Sequence, residues 1–157
     1  FPNAKYHVSQ PQWESAMNPN VREATSFLPE NILPMQELGV LNLVQSQGEL
    51  LPGIEVRFFD GHTKGQMIPI IHTPNGKKIV FAADFFPSTA HIHPAWNASY
   101  DVEPLIAIEE KETFTEEAFT KGYYIYYQHD HFTECTTLQK TDKGIRAGEA
   151  VTLTDIL

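Results

Sequence analysis

The 157-residue sequence has the length and composition of one ordinary globular domain, with 41% hydrophobic and 20% charged residues. Its formal net charge of −9 disfavours nucleic acids and anionic membranes as partners, because both would repel it. No apolar run approaches the roughly 20 residues that a membrane-spanning helix needs. The single Cys135 cannot form an intrachain disulfide and fits a small buried hydrophobic residue. These features predict a cytoplasmic protein with a small-molecule substrate and without a nucleic-acid or membrane partner.

The first predicted elements are a short strand and a helix. The sequence begins at Phe1 rather than at methionine and reads as a chain already under way, so we expect a fragment or a processed product. Residues 4–8 predict a strand. Ser9 and Pro11 then offer an N-cap and a first-turn proline for a helix that continues to about Met17.

The next part of the chain changes from broken helices to strands. Three prolines and scattered large apolar residues in segment 18–39 predict short helices packed by one face. The strand-like segments that follow are 40–44, 54–59, 67–71 and 78–82. Four strands in a row favour an antiparallel meander. The Pro-Asn-Gly turn at 74–76 favours a tight hairpin between the last two, since Asn-Gly tolerates positive φ.

A longer helix and three more strands complete the pattern. Asp101 is a plausible helix cap, and Lys121 with Gly122 is a typical helix ending. The tyrosine-rich run 123–127 is the most β-prone segment, and its alternating tyrosines fit an interior strand that packs on both faces. Segments 134–140 and 144–153 are the last predicted strands.

Three metal-binding side chains each follow a predicted strand, where loops gather functional groups that the sheet holds in position. His62 lies in Asp-Gly-His-Thr-Lys-Gly at 60–65, and the flanking glycines allow a sharp turn. Asp84 ends the apolar run 78–83, and His129 follows the tyrosine-rich strand. A lone histidine after a strand is more often a surface or hydrogen-bonding residue. The three residues therefore indicate a metal site only when they are taken together in this order.

The order Gly-His-Thr at 61–63, Ala-Ala-Asp at 82–84 and His-Asp at 129–130 resembles the C-terminal half of the metallo-β-lactamase superfamily. The octet Gly-Glu-Leu-Leu-Pro-Gly-Ile-Glu at 48–55 narrows the resemblance to its lactonase and organophosphate-hydrolase-like branch. The resemblance covers essentially the whole chain. It implies that residues 1–157 are the C-terminal part of a single domain. The implied fold is α/β, half of a four-layer αββα sandwich, with a mostly antiparallel sheet and helices on one face.

The resemblance also implies a two-metal site. In it His62 binds one metal ion, Asp84 bridges both as the catalytic carboxylate, and His129 binds the other. His131 is a nearby alternative to His129, which is preferred because it occupies the His-Asp position. The expected cofactors of the intact protein are two divalent metal ions, zinc first, although imidazole and carboxylate ligands also suit manganese and iron. The family's upstream His-X-His-X-Asp-His motif has no counterpart in this sequence, so the site is expected to be incomplete.

The segment after Asp84 holds three candidates for the substrate pocket, because the resemblance places pocket residues there: His91, His93 and Trp96. The two histidines imitate the missing His-X-His motif only superficially, and we do not expect them to bind metal. A solvated loop is the alternative interpretation of this segment.

The expected activity of the parent protein is metal-dependent hydrolysis of a lactone or a related ester, with a metal-bound hydroxide as the nucleophile. The fragment alone should be inactive or nearly so. The alternative is a noncatalytic binding or assembly module that retains only the sheet. Under either interpretation, one face of the sheet should be apolar. The fragment should therefore dimerise, exchange a segment with a second copy, or stay bound to its missing N-terminal half.

Overall fold

The computed structural model describes residue 1 and residues 3–157, and residue 2 of the opening segment lies outside this description. The strands in the described residues are β1 (Tyr6–Ser9), β2 (Leu41–Val44), β3 (Gly48–Leu51), β4 (Ile54–Phe59), β5 (Gln66–His72), β6 (Lys78–Phe81), β7 (Tyr124–Tyr126), β8 (Cys135–Thr141) and β9 (Gly144–Val151). The α-helices are α1 (Gln10–Met17), α2 (Pro29–Glu37), α3 (Pro104–Thr120) and α4 (Leu153–Ile156), and a 3₁₀ helix spans Thr89–Ile92.

The main sheet of the described residues has seven strands in the order β3-β4-β5-β6-β7-β8-β9. Every neighbouring pair is antiparallel except β6 and β7, which are parallel. A parallel pair needs a long crossover connection, and the segment that contains α3 supplies it. The mostly antiparallel sheet that the sequence predicts is therefore confirmed.

The predicted meander is wrong in its first member. β2 pairs in parallel with β1 and forms a separate two-stranded sheet within the described chain. The place beside β4 is taken by β3, which lies in the Gly-Glu-Leu-Leu part of the octet. A four-residue strand with an acidic residue and partly exposed side chains gives little periodic signal, so the sequence did not mark it.

Two local predictions agree with the structure and one does not. Ser9 caps α1, since its hydroxyl accepts a hydrogen bond from the Gln12 amide. The turn at 74–76 joins β5 to β6 in an antiparallel hairpin, and Gly76 has a φ of 82°. Asp101 does not cap α3. Glu103 holds the N-cap position without a side-chain cap, and the Asp101 carboxylate pairs with the imidazole of His62 instead.

The main hydrophobic core lies between the sheet and α3. Aromatic rings dominate it, and Phe114 of α3 is in edge contact with Phe59 and Phe85, at centroid distances of 5.3 and 5.5 Å. The buried members of this core are Phe59, Ile68, Ile70, Val80, Ala82, Phe85, Phe86, Ile92, Phe114, Ala118, Tyr123, Ile125 and Tyr127. The long helix therefore covers one face of the sheet, as expected.

The opposite face of the sheet is also apolar. At one end of it Ile79 and Cys135 pack against Ile156 of α4, a single turn whose first residue, Leu153, the sequence predicts as the end of the last strand. Cys135 is fully buried, and burial raises the pKa of its thiol to about 11, which agrees with a structural role. In the described part of the chain, no helix combines the length and the apolarity needed to cross a membrane.

Candidate metal centre

The three predicted metal ligands converge on one cleft. His129 Nε2 lies 3.1 Å from Asp84 Oδ1, and His62 Nε2 lies 3.7 Å from Asp84 Oδ2. Each carboxylate oxygen of Asp84 thus faces a different imidazole. All three residues line a cleft of about 500 Å³, whose wall also includes Arg22 and Tyr100.

The loop that carries His62 is held by two glycines with different roles. Gly65 has a φ of 72°, so it makes the sharp turn that the sequence predicts. Gly61 is needed for close packing instead, because a Cβ there would lie 2.4 Å from the Cα of Ala107 in α3. The Glu110 carboxylate of the same helix accepts hydrogen bonds from the backbone amides of residues 60 and 61. The His62 loop is therefore fixed directly against α3.

The imidazole of His62 contacts a carboxylate whose sequence pattern predicts a helix cap instead. Asp101 Oδ1 lies 2.9 Å from His62 Nδ1, on the side of the ring away from Asp84. The contact joins residues 39 positions apart, and no local pattern marks it. A histidine that binds metal usually donates its second ring N–H to such a carboxylate. Tyr100 packs its ring edge-on against the same imidazole, at 5.6 Å.

Asp84 sits between a strained residue and two core aromatics. Ala83 has a φ of 43°, a conformation that is uncommon for residues other than glycine. Phe85 and Phe86 follow directly and are buried in the main core. Backbone strain of this kind persists where the surrounding structure fixes it, and it is frequent at functional sites. The core therefore determines where the Asp84 carboxylate points.

His129 is positioned by the loop after β7. Its backbone amide donates to Pro87 O at 3.2 Å. The neighbouring Asp130 carboxylate accepts from both the amide and the hydroxyl of Thr89, each at 2.9 Å. Burial by itself raises the pKa of Asp130, but its hydrogen bonds from residues 89, 132 and 133 outweigh this and hold that pKa below its usual value. His131, the alternative ligand, is exposed and packs on Phe132.

The three candidates for substrate binding lie apart from this cleft. His91 pairs through Nδ1 with the Ser88 hydroxyl at 2.8 Å. His93 stacks on Trp96, and it lines a separate cavity of about 410 Å³ beside α3 and β9. Within the described residues, none of the three lines the cleft of Asp84. Their role in substrate binding stays a prediction.

The donor set fits part of a metal site. Two imidazoles and a carboxylate are suitable zinc ligands, and the carboxylate of Asp84 presents one oxygen toward each imidazole. Across the residues that the structure describes, no group of three or more His, Cys, Asp or Glu side chains is by itself arranged to hold a metal ion. Two zinc ions need more ligands than these three residues provide.

No family model and no curated protein matches the chain. Solved structures do match it. A probable metal-dependent hydrolase from Staphylococcus aureus is 28% identical, with a TM-score of 0.83 over 97% of this chain and 53% of that chain. AidC, a dizinc quorum-quenching lactonase, is 17% identical, with a TM-score of 0.78 over 98% of this chain and 57% of its own. AbOPH, a hydrolase of the β-lactamase superfamily, is 22% identical, with a TM-score of 0.76 over 94% and 55%.

The chain thus spans about half the length of the solved structures that it matches. Of these neighbours, one is a probable metal-dependent hydrolase, one is a dizinc lactonase and one is a hydrolase of the β-lactamase superfamily. The expected mixed architecture, a mostly antiparallel sheet covered by a long helix, matches theirs. The chain therefore has a fold that matches about half of the metallo-β-lactamase fold, and its place in the C-terminal half stays a prediction from the sequence motifs.

Proposed function

We propose that residues 1–157 are the C-terminal part of a single metallo-β-lactamase-fold domain that hydrolyses a lactone or a related ester. One observation carries the proposal: the two oxygens of Asp84 face two histidines that come from separate loops of the sheet. The structural neighbours agree with it, since they include a probable metal-dependent hydrolase and a lactonase.

His62, Asp84 and His129 would hold two divalent cations together with ligands from the N-terminal half of the fold. Zinc is the proposed metal, because imidazole and carboxylate ligands suit it and the lactonase AidC is a dizinc protein. When bound, the cations supply Lewis acidity, which activates water near neutral pH and polarises the carbonyl of the ester. Hydrolysis then adds water across the acyl C–O bond and yields a hydroxy acid from a lactone.

The residues of this chain prepare the cleft for that chemistry. The charge of Asp84 would offset part of the charge of two cations, while His62 and His129 would contribute imidazole nitrogens. Arg22 donates to the backbone oxygens of Ser99 and Tyr100, and so it holds the segment beside His62. The cleft of about 500 Å³ is within the usual range for a small-molecule site.

The chain alone is proposed to be inactive or nearly so, because three ligands cannot complete two coordination shells. The test is metal analysis and an assay with lactone, ester and phosphotriester substrates on the full-length protein that contains these residues. We expect two equivalents of zinc and turnover of lactones or esters. A full-length protein with neither metal nor turnover would instead favour the noncatalytic binding or assembly module.

A second part of the proposal concerns the sheet face opposite α3, which we propose is covered by the N-terminal half of the fold. The apolar side chains that the strand registers place on this face include Phe58, Met67, Ile71, Phe81, Tyr124 and Tyr126. Phe81 and Tyr126 stack at 5.4 Å, and Ile71 is 38% exposed. The solved neighbours are about twice as long as this chain, so their other half provides an occupant of suitable size.

The face should therefore cause association when the chain is alone. In sedimentation velocity at rising concentration, we expect the 157-residue chain to self-associate and to bind a hydrophobic dye, and Ile71→Lys should weaken both effects. Ile106→Lys is the matched control, because Ile106 of α3 is similarly exposed, at 40%, but lies on the other side of the sheet. A monodisperse monomer without dye binding would contradict an uncovered apolar face.

A further inference from the structure

A buried carboxylate lies behind His62, on the side away from the cleft. The Asp101 side chain is only 3% exposed, and its Oδ1 is 2.9 Å from His62 Nδ1. A carboxylate can only accept hydrogen bonds, so the imidazole must donate from Nδ1. In a neutral ring this leaves the lone pair on Nε2, the nitrogen that faces Asp84.

The second oxygen of Asp101 is also engaged. Oδ2 accepts a hydrogen bond from the Ala98 amide at 3.1 Å, so the carboxylate cannot rotate freely. The backbone holds the two segments together at the same place, since the Val102 amide donates to His62 O and the Glu103 amide donates to Gly61 O. Both partners of the Asp101–His62 hydrogen bond are therefore fixed by other contacts.

A buried cation holds the segment before Asp101. Lys111 of α3 is 2% exposed, and its Nζ donates to Trp96 O at 3.1 Å and to Asn97 Oδ1 at 2.9 Å. Burying an ammonium group is costly unless it is hydrogen-bonded, and here both acceptors belong to the residues that precede Ala98. The side-chain NH₂ group of Asn97 also donates to Pro104 O at the start of α3. The helix thus sets the position of the segment that carries Asp101.

We infer that Asp101 is a positioning residue that fixes the tautomer and the orientation of His62, and that Lys111 keeps its segment in register with α3. The inference rests on the proposed function, because it assigns His62 Nε2 as the metal-binding nitrogen. It adds a buried carboxylate and a buried lysine to the site, and neither of them faces the cleft. Outer partners of metal-binding histidines raise metal affinity by roughly 10- to 100-fold.

Asp101→Asn is the decisive variant. The Ala98 amide requires an acceptor, so the amide oxygen of the new side chain should take the place of Oδ2. The NH₂ group would then face His62 Nδ1 and force that nitrogen to accept. The ring proton would move to Nε2, and the lone pair would no longer be available to a metal ion in the cleft.

The tautomer can be measured without any metal. Long-range ¹H–¹⁵N correlation spectra of the metal-free full-length protein, at about pH 8.5 where an ordinary imidazole is neutral, report which ring nitrogen carries the proton. We expect a proton on Nδ1 of His62 in the unmodified chain and on Nε2 in Asp101→Asn. Asp155→Asn is the matched control: Asp155 also accepts a backbone hydrogen bond but lies in the capping box of α4, and the His62 signals should not change.

The second readout is zinc affinity of the full-length protein, measured by competition with a chelator. Asp101→Asn should bind zinc roughly 10- to 100-fold more weakly than the unmodified protein. Lys111→Met should also weaken zinc binding, but without moving the proton to Nε2, because Asp101 itself is retained.

The inference is overturned if His62 of the unmodified chain carries its proton on Nε2, a result that does not depend on any variant folding. It is equally overturned if Asp101→Asn leaves both the tautomer and the zinc affinity unchanged. If the tautomer changes as expected but the unmodified full-length protein binds no zinc, the positioning of His62 by Asp101 is supported and the proposed metal function fails.

Discussion

Replacing Asp84 with alanine in the full-length protein is expected to abolish stoichiometric metal binding and to reduce hydrolysis by on the order of 10³-fold or more. The reason is geometric and electrostatic. Asp84 is the group whose two oxygens reach both histidines of the cleft, at 3.1 and 3.7 Å. Without it, two cations would repel each other across the cleft with no shared anionic ligand between them.

Metal content after dialysis and turnover of a lactone check this prediction together. Asp84→Asn should also lower metal content and turnover, since it keeps the size of the side chain but loses the charge that offsets the cations. Asp142→Ala is the matched control, because Asp142 is an exposed residue of the turn between β8 and β9. The bridging role is refuted if Asp84→Ala retains both the metal and the turnover.

The sequence predicted the meeting of His62, Asp84 and His129 because each follows a strand and belongs to a short motif. It did not predict Asp101, whose contact with His62 spans 39 residues. An acidic residue shortly before Pro104 has the same local pattern whether it caps a helix or orients a distant histidine. Only the packing of the segment before α3 against the His62 loop separates the two roles.

Because local patterns do not reveal tertiary contacts, the prediction of the fold also contains errors. Strand 54–59 was predicted with its observed bounds, since alternating side chains and flanking turns mark it. Strand β2 was predicted as a strand, but its pairing with β1 instead of β4 has no signature in its own residues. The single turn α4 is too short for helical periodicity, and its first residue, Leu153, falls at the end of the predicted last strand. Local patterns thus gave element types, whereas partners depended on tertiary contacts.

The two glycines near His62 show that a local pattern also leaves the role of a single residue open. Gly61 and Gly65 both flank His62, and the sequence assigned the same turning role to both. In the structure Gly65 makes the turn, with its φ of 72°, and a Cβ there would also lie 2.7 Å from Ser9 Oγ, whereas Gly61 lets α3 approach the loop. A sequence cannot distinguish a glycine that is needed for its backbone angle from one that is needed for its missing Cβ.

Phe114→Ala is expected to lower the free energy of unfolding by about 3–5 kcal/mol, the usual cost of removing a buried phenylalanine. Phe114 is buried in α3 and contacts Phe59 at the end of β4 and Phe85 directly after Asp84. Its ring therefore supports both loops that bring His62 and Asp84 together. Because whole domains are stable by only about 5–15 kcal/mol, this single change removes a large share of the total.

Urea denaturation followed by circular dichroism measures this loss from the midpoint and the slope of the transition. Leu105→Ala is the matched control, since Leu105 lies on the same helix but is 75% exposed, and its replacement should change stability by no more than about 0.5 kcal/mol. If the two variants unfold at the same urea concentration, α3 does not pack on the sheet through Phe114. The core would then not be what holds the Asp84 carboxylate between the two histidines, and another support for the cleft would have to be found.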